Sequence, residues 1–350
     1  MSAEPHLDWN ALRFDADHPQ NHVESFFMKL NDPKGERALW LKATIFATQR
    51  EPGRPMAEGW AIAFDRRSGS TRHVAVKHEL PCEKASFDKQ KLGIHWEIPE
   101  APSLRGGVRP SDSLLLEPGC TRGAVSAHNH RIAWTLRFSG SLPSVAPLPF
   151  AWMYSPKSPT SKIVSPYPDL RFEGEVQVDG EAWNIDGWRG MQGHNWGRRH
   201  TDLYAWSHIN VWDQDEDFVF EGLSAQVQLG PVKIPMLTII SVRKGGVAFD
   251  WNEPRVIAKA RAQSDFRSWS FSAEHRDARI EGKLVAGTED MVGLYYANPD
   301  GPMTYCLNSK LARAEIRFEA QGRPPLLLSS KAAALEIGTH DEGHGVTMAV

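Results

Sequence analysis

We predict an all-β fold in which two antiparallel β-barrel halves pack together. Most apolar segments of the 350-residue chain are only strand-length, are rich in β-branched and aromatic residues, and are separated by Gly, Asp, Asn or Pro. Helical periodicity is scarce, which argues against an α/β fold. Two halves of roughly 150 to 180 residues would each suit a barrel of about eight strands.

The first predicted half, residues 1–140, contains eight segments with the short alternating or apolar pattern of strands. These candidate strands are His22–Leu30, Arg37–Thr48, Gly59–Asp65, Thr71–Glu79, Ile94–Ile98, Ser113–Glu117, Cys120–His128 and Arg131–Ser139.

A proline-rich stretch at 141–170 predicts a connector between the halves. It carries seven prolines, and proline cannot donate a hydrogen bond to a β-sheet, so we expect no central strand here. The stretch also contains Phe150, Trp152, Met153 and Tyr154. A solvated linker has no need of these side chains, so we expect part of the connector to pack against the body or to line the mouth of a cavity.

The second predicted half, residues 171–350, resumes the strand pattern. Asp179-Gly180, between Phe172–Val178 and Glu181–Ile185, is a strong signal for a two-residue hairpin turn. Ten further candidate strands follow: Leu203–Trp212, Asp217–Val227, Ile234–Arg243, Val247–Trp251, Val256–Ala262, Ser268–Glu274, Ala278–Val285, Met303–Asn308, Leu311–Glu319 and Ala332–Gly338.

The composition limits the classes of function. A net charge of −3 with 24% charged residues provides no basic surface for nucleic acid. Cys82, Cys120 and Cys306 are too few and too widely spaced for a disulfide framework or a zinc site, so we expect reduced thiols in the cytoplasm. The N-terminus lacks the apolar region of a signal peptide, and no apolar run approaches the roughly 20 residues of a membrane span.

Motifs for common cofactors are missing. The sequence has no P-loop, dinucleotide fingerprint, Gly-x-Ser-x-Gly elbow or His-Glu-x-x-His motif. Residues 338–344, Gly-Thr-His-Asp-Glu-Gly-His, have a metal-like composition, but their position near the terminus favours a polar turn. We therefore expect neither a cofactor nor a metal.

Five of the 13 tryptophans fall between positions 183 and 212. Within this region, residues 193–197 read Gly-His-Asn-Trp-Gly. Glycines let a backbone turn tightly, so we expect His194, Asn195 and Trp196 to project from a constrained loop.

The strand after this loop has two contrasting faces, because strand side chains alternate. One face is small and aliphatic, and the other holds Tyr204, Trp206, His208, Asn210 and Trp212. Exposing these aromatic rings to water is unfavourable, and burying His208 and Asn210 in a core without hydrogen-bond partners is costly. An aromatic-walled cavity with a few polar groups satisfies both constraints. The alternative is a filled core in which His208 and Asn210 satisfy each other.

Several carboxylates could supply acid chemistry. Glu221 lies in an apolar segment, where burial would raise its pKa, although an ordinary solvated strand position is the alternative. Glu24 in the first half poses the same question. Asp186 and Asp202 flank His194 in the sequence.

The motif at 193–197, followed by Tyr-Ala-Trp-Ser-His-Ile-Asn at 204–210, resembles a lipocalin-like superfamily. Its members include bacterial carotenoid 1,2-hydratase (hydroxyneurosporene synthase), the AttH-like proteins and plant tocopherol cyclase; fungal lipocalin-like cyclases and Diels–Alderases look related. The segment His22–Phe46, an aromatic strand followed by Leu-Trp-Leu-Lys-Ala-Thr at 39–44, is similar to the family's opening strands. The resemblance implies two lipocalin- or calycin-like barrels and a cavity in which isoprenoid or polyketide chains react. Family members often have Asp where this chain has Gly193, so another residue would have to replace that acid.

Three functions agree with the resemblance and with the aromatic face. The first is a cofactor-independent enzyme that hydrates or cyclises a hydrophobic, unsaturated, isoprenoid-like molecule by proton donation. The candidate proton donors are His194, His208, Asp202 and Glu221. The candidate substrate-binding residues, several of which could stabilise a cation with their rings, are Asn195, Trp196, Tyr204, Trp206, Asn210 and Trp212.

The second function is a non-catalytic carrier of a lipid or pigment, and the third is a shape-based pericyclase. In each case the partner is a small hydrophobic ligand, with no nucleic acid and no transmembrane segment. Transient membrane contact to collect the substrate and the oligomeric state are left open.

Overall fold

The computed structural model describes residues 8–50, 54–67, 71–102, 108–109, 111–156, 160–226, 228–229, 232–233 and 236–350. These residues form two large sheets of antiparallel strands, each curled around its own core. The predicted all-β class and the division into two barrel-like halves are confirmed. No helix among the described residues has the length and apolar character needed to cross a bilayer.

The first sheet is formed by strands before residue 198. The strands of this part are β1 (His22–Asn31), β2 (Arg37–Ala47), β3 (Met56–Asp65), β4 (Arg72–Pro81), β5 (Ala85–Phe87), β6 (Ile94–Ile98), β7 (Ala101–Pro102), β8 (Val108–Arg109), β9 (Asp112–Glu117), β10 (Cys120–Ala127), β11 (His130–Ser139), β12 (Ser161–Val178) and β13 (Glu181–Gly197). Eleven of them pair in the order β4-β3-β2-β1-β13-β12-β11-β10-β9-β6-β5, and β7 pairs with β8 alone.

The second sheet is formed by strands after residue 203. These strands are β14 (Tyr204–Ile209), β15 (Phe218–Ala225), β16 (Gln228–Leu229), β17 (Val232–Lys233), β18 (Leu237–Lys244), β19 (Val247–Trp251), β20 (Arg261–Ser264), β21 (Ser268–His275), β22 (Ala278–Val285), β23 (Val292–Tyr296), β24 (Thr304–Ala320) and β25 (Leu326–Thr339). The main path runs β19-β18-β15-β14-β25-β24-β22-β21-β20; β23 pairs with β24, and β16 pairs with β17.

Helical structure is confined to single turns in the described residues. These turns are the α-helix α1 (Pro254–Ile257) and four 3-10 segments, Cys82–Lys84, Ala151–Tyr154, Thr288–Asp290 and Glu342–His344. The start of α1 corrects the predicted strand Val256–Ala262: Pro254 occupies the first helical turn, where its fixed φ favours a helix start.

The interface between the halves is built from the outer faces of both sheets. Alternate residues of β1, such as Phe26 and Met28, point into the first barrel, and the residues between them point outward. The outward Phe27 packs with Trp206 of the second sheet. Trp40 and Tyr296 share a second interface cluster. The space between the two outer faces therefore determines whether a ligand can bind there.

The predicted strands of the first half are confirmed to within about three residues at each end. The predicted hairpin at Asp179-Gly180 is also confirmed, but its two strands are much longer than expected. In the second half, Met303–Asn308 and Leu311–Glu319 are parts of one strand, β24. The predicted strand ends at 227 and 234–235 lie outside the described residues.

The expectation of no central strand in the connector was wrong for residues 161–170. They form the first part of β12, which lies between β13 and β11. The pairing of β12 with β13 shifts register between Val164 and Tyr167 and again between Tyr167 and Leu170. These irregularities surround Pro166 and Pro168, so the prolines sit where the ladder is already interrupted.

The chain passes from the first sheet to the second between Gly197, the last residue of β13, and Tyr204, the first residue of β14. This point is later in the chain than the predicted domain limits at 140 and 170, which stay a prediction. The loop expected around 193–197 is instead the end of β13. Gly193 serves close packing there, because a Cβ atom at this position would lie 2.2 Å from Cζ of Phe27.

Candidate functional site between the two sheets

A cavity of about 730 Å³ lies between the two outer faces. Its volume falls within the roughly 300–1,000 Å³ that is usual for small-molecule sites. Its aromatic lining consists of Phe27, Trp40, Tyr204, Trp206 and Tyr296. Its aliphatic and thioether lining consists of Leu148, Pro149, Met153, Ile163, Leu223, Ala225, Leu237, Ile239 and Ile257. The connector therefore contributes to the cavity wall, as its apolar residues predicted.

The lining also contains charged side chains, namely Lys162, Arg198, Arg199, Asp202 and Asp300. One end of the cavity has a further polar group, which consists of Lys42, His200, Tyr204, Tyr296 and Glu336. The ring of His200 stacks on Tyr296 with 4.7 Å between ring centroids. Burial, assisted by the charge of Lys42, lowers the pKa of His200 to about 3, so this ring is neutral at pH 7.

Two tyrosine hydroxyls meet a buried thiol beside this polar end. Sγ of Cys306 donates to Oε2 of Glu336 at 3.6 Å, and burial raises the pKa of this thiol to about 12. Burial also raises the pKa values of Tyr204 and Tyr296 well above their usual range. Near neutral pH these three groups are uncharged hydrogen-bonding groups.

Four predicted site residues line the cavity: Asn195, Asp202, Tyr204 and Trp206. Asp202 is already ion-paired, since its Oδ2 lies 2.7 Å from Arg199 and its Oδ1 lies 3.2 Å from Nε2 of His340. Both oxygens of Asp202 are thus engaged by neighbouring side chains, which does not favour Asp202 as a proton donor.

Glu221 lies in the wall directly behind Trp206. Its Oε1 accepts hydrogen bonds from Oγ of Ser165 at 2.9 Å and from Nε1 of Trp206 at 3.2 Å. Its Oε2 has no hydrogen-bond partner among the described residues. Burial raises the pKa of Glu221 to about 7, although the two hydrogen bonds act in the opposite direction. A carboxyl group in this environment holds a proton in a large part of the molecules at neutral pH.

His194 lies inside the first barrel, away from the cavity lining. Its Nε2 lies 2.9 Å from Oε1 of Glu24, and its Nδ1 lies 2.6 Å from the carbonyl oxygen of Trp9. Phe26 stacks on the imidazole with 4.1 Å between centroids. Both ring nitrogens of His194 therefore face oxygen atoms of the protein.

Glu24 is the ionised partner of His194. Its oxygens also accept hydrogen bonds from the backbone N–H groups of Arg13 and Phe14 at 2.8 Å each. Burial opposes ionisation, but hydrogen bonds from His194 and His22 outweigh it and lower the pKa of Glu24 to about 2. The geometry thus favours a structural role in which the pair fastens residues 9–14 to the first sheet.

His208 and Asn210 lie in a packed polar layer beside the cavity. Nε2 of His208 donates to the carbonyl oxygen of Pro168 at 2.8 Å, and burial lowers the pKa of His208 well below its usual range. Asn210 accepts from Nζ of Lys29 at 2.9 Å and donates to Oδ1 of Asp169 at 2.8 Å. Neither residue is part of the cavity lining.

The remaining two predicted residues also lie outside the lining. Trp196 packs beside His194 with 4.8 Å between centroids. Trp212 belongs to the core of the second barrel and donates from Nε1 to the carbonyl oxygen of Phe218 at 2.7 Å. Of the face from 204 to 212, the structure places Tyr204 and Trp206 in the cavity wall.

Sequence reasoning missed the residues that make one end of the cavity polar. They are Lys42, His200, Tyr296 and Glu336. Lys42 had a visible signal, because it is a lone cation within the apolar run Leu39–Thr44. The other three have no comparable signal, since their positions depend on how the second sheet faces the first.

No family model and no curated protein matches this chain by sequence. Solved structures do match along nearly its whole length. A protein classed as AttH from Nitrosomonas europaea is 13% identical with a TM-score of 0.50, covering 96% of this chain and 99% of that one. CghA is 10% identical with a TM-score of 0.57, covering 91% and 88%.

A third similar structure is kievitone hydratase from Nectria haematococca, which is 11% identical with a TM-score of 0.51 and covers 95% of each chain. These similarities confirm the predicted resemblance at the level of the fold: the chain shares the overall fold of these three proteins.

Proposed function

We propose that this protein is an enzyme that hydrates or cyclises a hydrophobic, unsaturated, isoprenoid-like small molecule in the cavity between its sheets. The observation that carries the proposal is the environment of Glu221, a carboxyl group with a pKa of about 7 and one free oxygen, set behind a tryptophan of the cavity wall. Perturbed acids beside a large apolar cavity are typical of catalytic sites.

The lining supports a hydrophobic ligand. Aromatic and aliphatic side chains form most of the wall near Trp206, Leu223 and Ile239. Leu223 lies two residues after Glu221 on the same face of β15, so a ligand against Leu223 also lies close to Glu221. Glu221 itself lies just outside the lining, and a double bond held against Leu223 would be the part of the ligand nearest to this acid.

The proposed reaction begins with the transfer of the Glu221 proton to one carbon of the double bond. The π electrons form the new C–H bond, and the other carbon becomes a tertiary cation. The faces of Trp206 and Tyr204 stabilise this cation. The oxygen of water or of a hydroxyl group in the substrate then bonds to the cation, and the proton it loses returns to the Glu221 carboxylate. The sequence exchanges no electrons with a redox partner.

The geometry makes Glu221 a better donor than the two histidines. Both ring nitrogens of His194 are engaged inside the first barrel, one by Glu24 and the other by the carbonyl oxygen of Trp9. His208 is neutral, and its one proton is directed to Pro168. The hydratase name of one structural neighbour also supports a reaction of this class, although that similarity itself concerns the fold.

The test begins with the small molecules that co-purify with the protein, which are extracted and identified by mass spectrometry. Turnover of the identified compound is then compared in wild type, Glu221→Gln and Asp202→Asn. We expect Glu221→Gln to bind the compound but to lose at least about 100-fold in kcat, as for other general acids. Asp202→Asn changes a cavity carboxylate that is ion-paired, so it should keep turnover within a few-fold of wild type.

Wild-type turnover in Glu221→Gln would contradict the proposed acid. Such turnover with little dependence on pH would instead indicate a pericyclase that works by shape. An extracted ligand that no condition converts would indicate a carrier. One observation favours that second function: His208 and Asn210, the polar groups that first suggested chemistry, are engaged in the packed layer between the sheets.

A further inference from the structure

We propose that Lys42 binds an acidic group of the ligand, a carboxylate or an ionised enol or phenol, and so fixes which end of the molecule enters the polar end of the cavity. This inference rests on the proposed function because it places the ligand in the same cavity. It adds a substrate class: an apolar unsaturated body with an acid at one end.

The Lys42 side chain is buried but open to the cavity. It is 4% exposed, and it lines the cavity from the centre of β2. Among the described residues, no carboxylate oxygen lies within 4.0 Å of its Nζ. Burying an ammonium group without such partners is costly, so the position is best explained by a partner that arrives with the ligand.

The two carboxylates nearest to Lys42 are already bound by other lysines. Oε1 of Glu58 lies 2.9 Å from Nζ of Lys77, and Oε1 of Glu336 lies 2.8 Å from Nζ of Lys310. Lys77 is also paired with Glu79 at 2.5 Å, and neither Glu58 nor Glu336 forms an ion pair with Lys42. An anionic group of the ligand would give Lys42 the partner that these two carboxylates do not.

Aromatic rings surround the ammonium group. Its Nζ lies 3.8 Å from the ring centroid of Tyr296, 5.3 Å from that of Trp60 and 5.6 Å from that of Trp40. Rings stabilise a cation through their negative faces but do not neutralise it. These three rings thus hold the Lys42 side chain in place without neutralising its charge, so the ammonium group can bind an anion in the cavity.

The order of the second sheet separates the two ends of the cavity. Tyr296 lies on β23 and Glu336 on β25, on one side of β14. Leu223 on β15 and Ile239 on β18 lie on the other side of β14. A ligand with its acid at Lys42 therefore extends its apolar body toward Leu223, Ile239 and Glu221.

The experiment uses a fluorescent polyene acid, cis-parinaric acid, and its methyl ester as probes, with the full chain and no other ligand. At about pH 6.5 we expect wild type to bind the acid at least about tenfold more tightly than the ester, since an ion pair in a desolvated site contributes an amount of this order. Lys42→Met should bind the two probes equally, whereas Lys42→Arg should keep the preference. Lys162→Met changes another lysine of the lining and is the matched control.

A second measurement covers the case in which Lys42→Met does not fold. It is made on Lys162→Met, because burial also lowers the pKa of Lys162 to about 8. Burial lowers the pKa of Lys42 to about 8, so the preference for the acid should fall as the pH rises to about 9.5. The charged and titratable groups around Lys42 are Glu58, Lys77, His200, Tyr204, Tyr296, Cys306, Lys310 and Glu336. His200 is neutral throughout this range, and the two tyrosines and the thiol keep their protons beyond it.

Equal binding of acid and ester by wild type would overturn the role of Lys42 and leave the hydrophobic cavity intact. A preference that persists in Lys42→Met, or that only Lys162→Met removes, would also overturn it. Failure of both probes to bind would contradict the cavity as a ligand site, and with it the proposed function. Turnover of Glu221→Gln, by contrast, tests the proposed reaction, and its result does not change the interpretation of this binding experiment.

Discussion

The indole nitrogen of Trp206 donates a hydrogen bond to Oε1 of Glu221 at 3.2 Å, while the same ring forms part of the cavity wall. Trp206, whose ring would contact the substrate, is thus hydrogen-bonded to Glu221, the proposed proton donor. This contact couples the pKa of the acid to the identity of the wall residue.

The first prediction concerns the pH dependence of turnover. The active form of Glu221 is protonated, and its pKa is about 7, so kcat should be highest at acidic pH and should fall as the pH rises through about 7. Trp206→Phe keeps an aromatic face but removes a hydrogen bond that favours the ionised form. Its falling limb should therefore move up by about half to one pH unit, as expected for a bond of about 1 kcal/mol. Identical profiles of kcat against pH in the two proteins would contradict the coupling.

The second prediction is that His194 stabilises the fold. Replacing it by Gln leaves the buried charge of Glu24 poorly compensated, so the free energy of unfolding should fall by about 3 kcal/mol or more. Urea unfolding followed by tryptophan fluorescence measures this change. The exposed His95 provides the control, because His95→Gln should change the unfolding free energy by less than about 0.5 kcal/mol. A stable His194→Gln protein without turnover would restore His194 as a candidate proton donor.

A third prediction follows from the low pKa of Glu24. The unfolded chain takes up a proton near the ordinary glutamate pKa of 4.5, whereas the folded protein does so only near 2. The stability that Glu24 contributes is therefore present above about pH 4.5 and is lost as the pH falls through about 2. In Glu24→Gln, urea midpoints measured between pH 5 and pH 2.5 should fall less steeply than in wild type. Parallel curves would show that the His194–Glu24 pair does not control acid stability.

The fourth prediction concerns Gly193, which replaces the acid that the resembling family often has. The ring of Phe27 occupies the space that a side chain at 193 would need. Gly193→Asp should therefore destabilise the fold by about 1–3 kcal/mol through overpacking. The double variant Gly193→Asp, Phe27→Ala should be more stable than the sum of the single changes predicts, by at least about 0.5 kcal/mol. Strict additivity in urea unfolding would show that Phe27 does not occupy that space.

Much of the fold was predictable because strand periodicity and turn chemistry are local. The alternation along β1 to β4 and the Asp179-Gly180 turn sufficed to place these elements. The length of β12 and β13 was not predictable, since Pro166, Pro168 and Gly193 normally mark the end of a strand. Here the prolines coincide with register shifts, and the glycine permits close packing against Phe27.

The site was only partly predictable, because alternation shows which residues share a face and not what opposes that face. The strand β14 ends at Ile209, so the alternation that would place Trp212 beside Tyr204 stops there. Trp212 lies instead in the core of the second barrel with Ala205 and Ile209, the residues of the opposite face. The lack of an ion pair at Lys42 was also not predictable from the sequence, since it depends on which lysines pair with Glu58 and Glu336.

The most direct test of the account is the ligand content of the cavity. Ala225 lines the cavity, and Ala225→Trp would fill space near its apolar end. We predict that native mass spectrometry and solvent extraction find a hydrophobic, unsaturated small molecule with wild type and strongly reduced amounts with an equally folded Ala225→Trp protein. The same ligand content in both proteins, or no apolar small molecule with wild type, would contradict a ligand site between the two sheets.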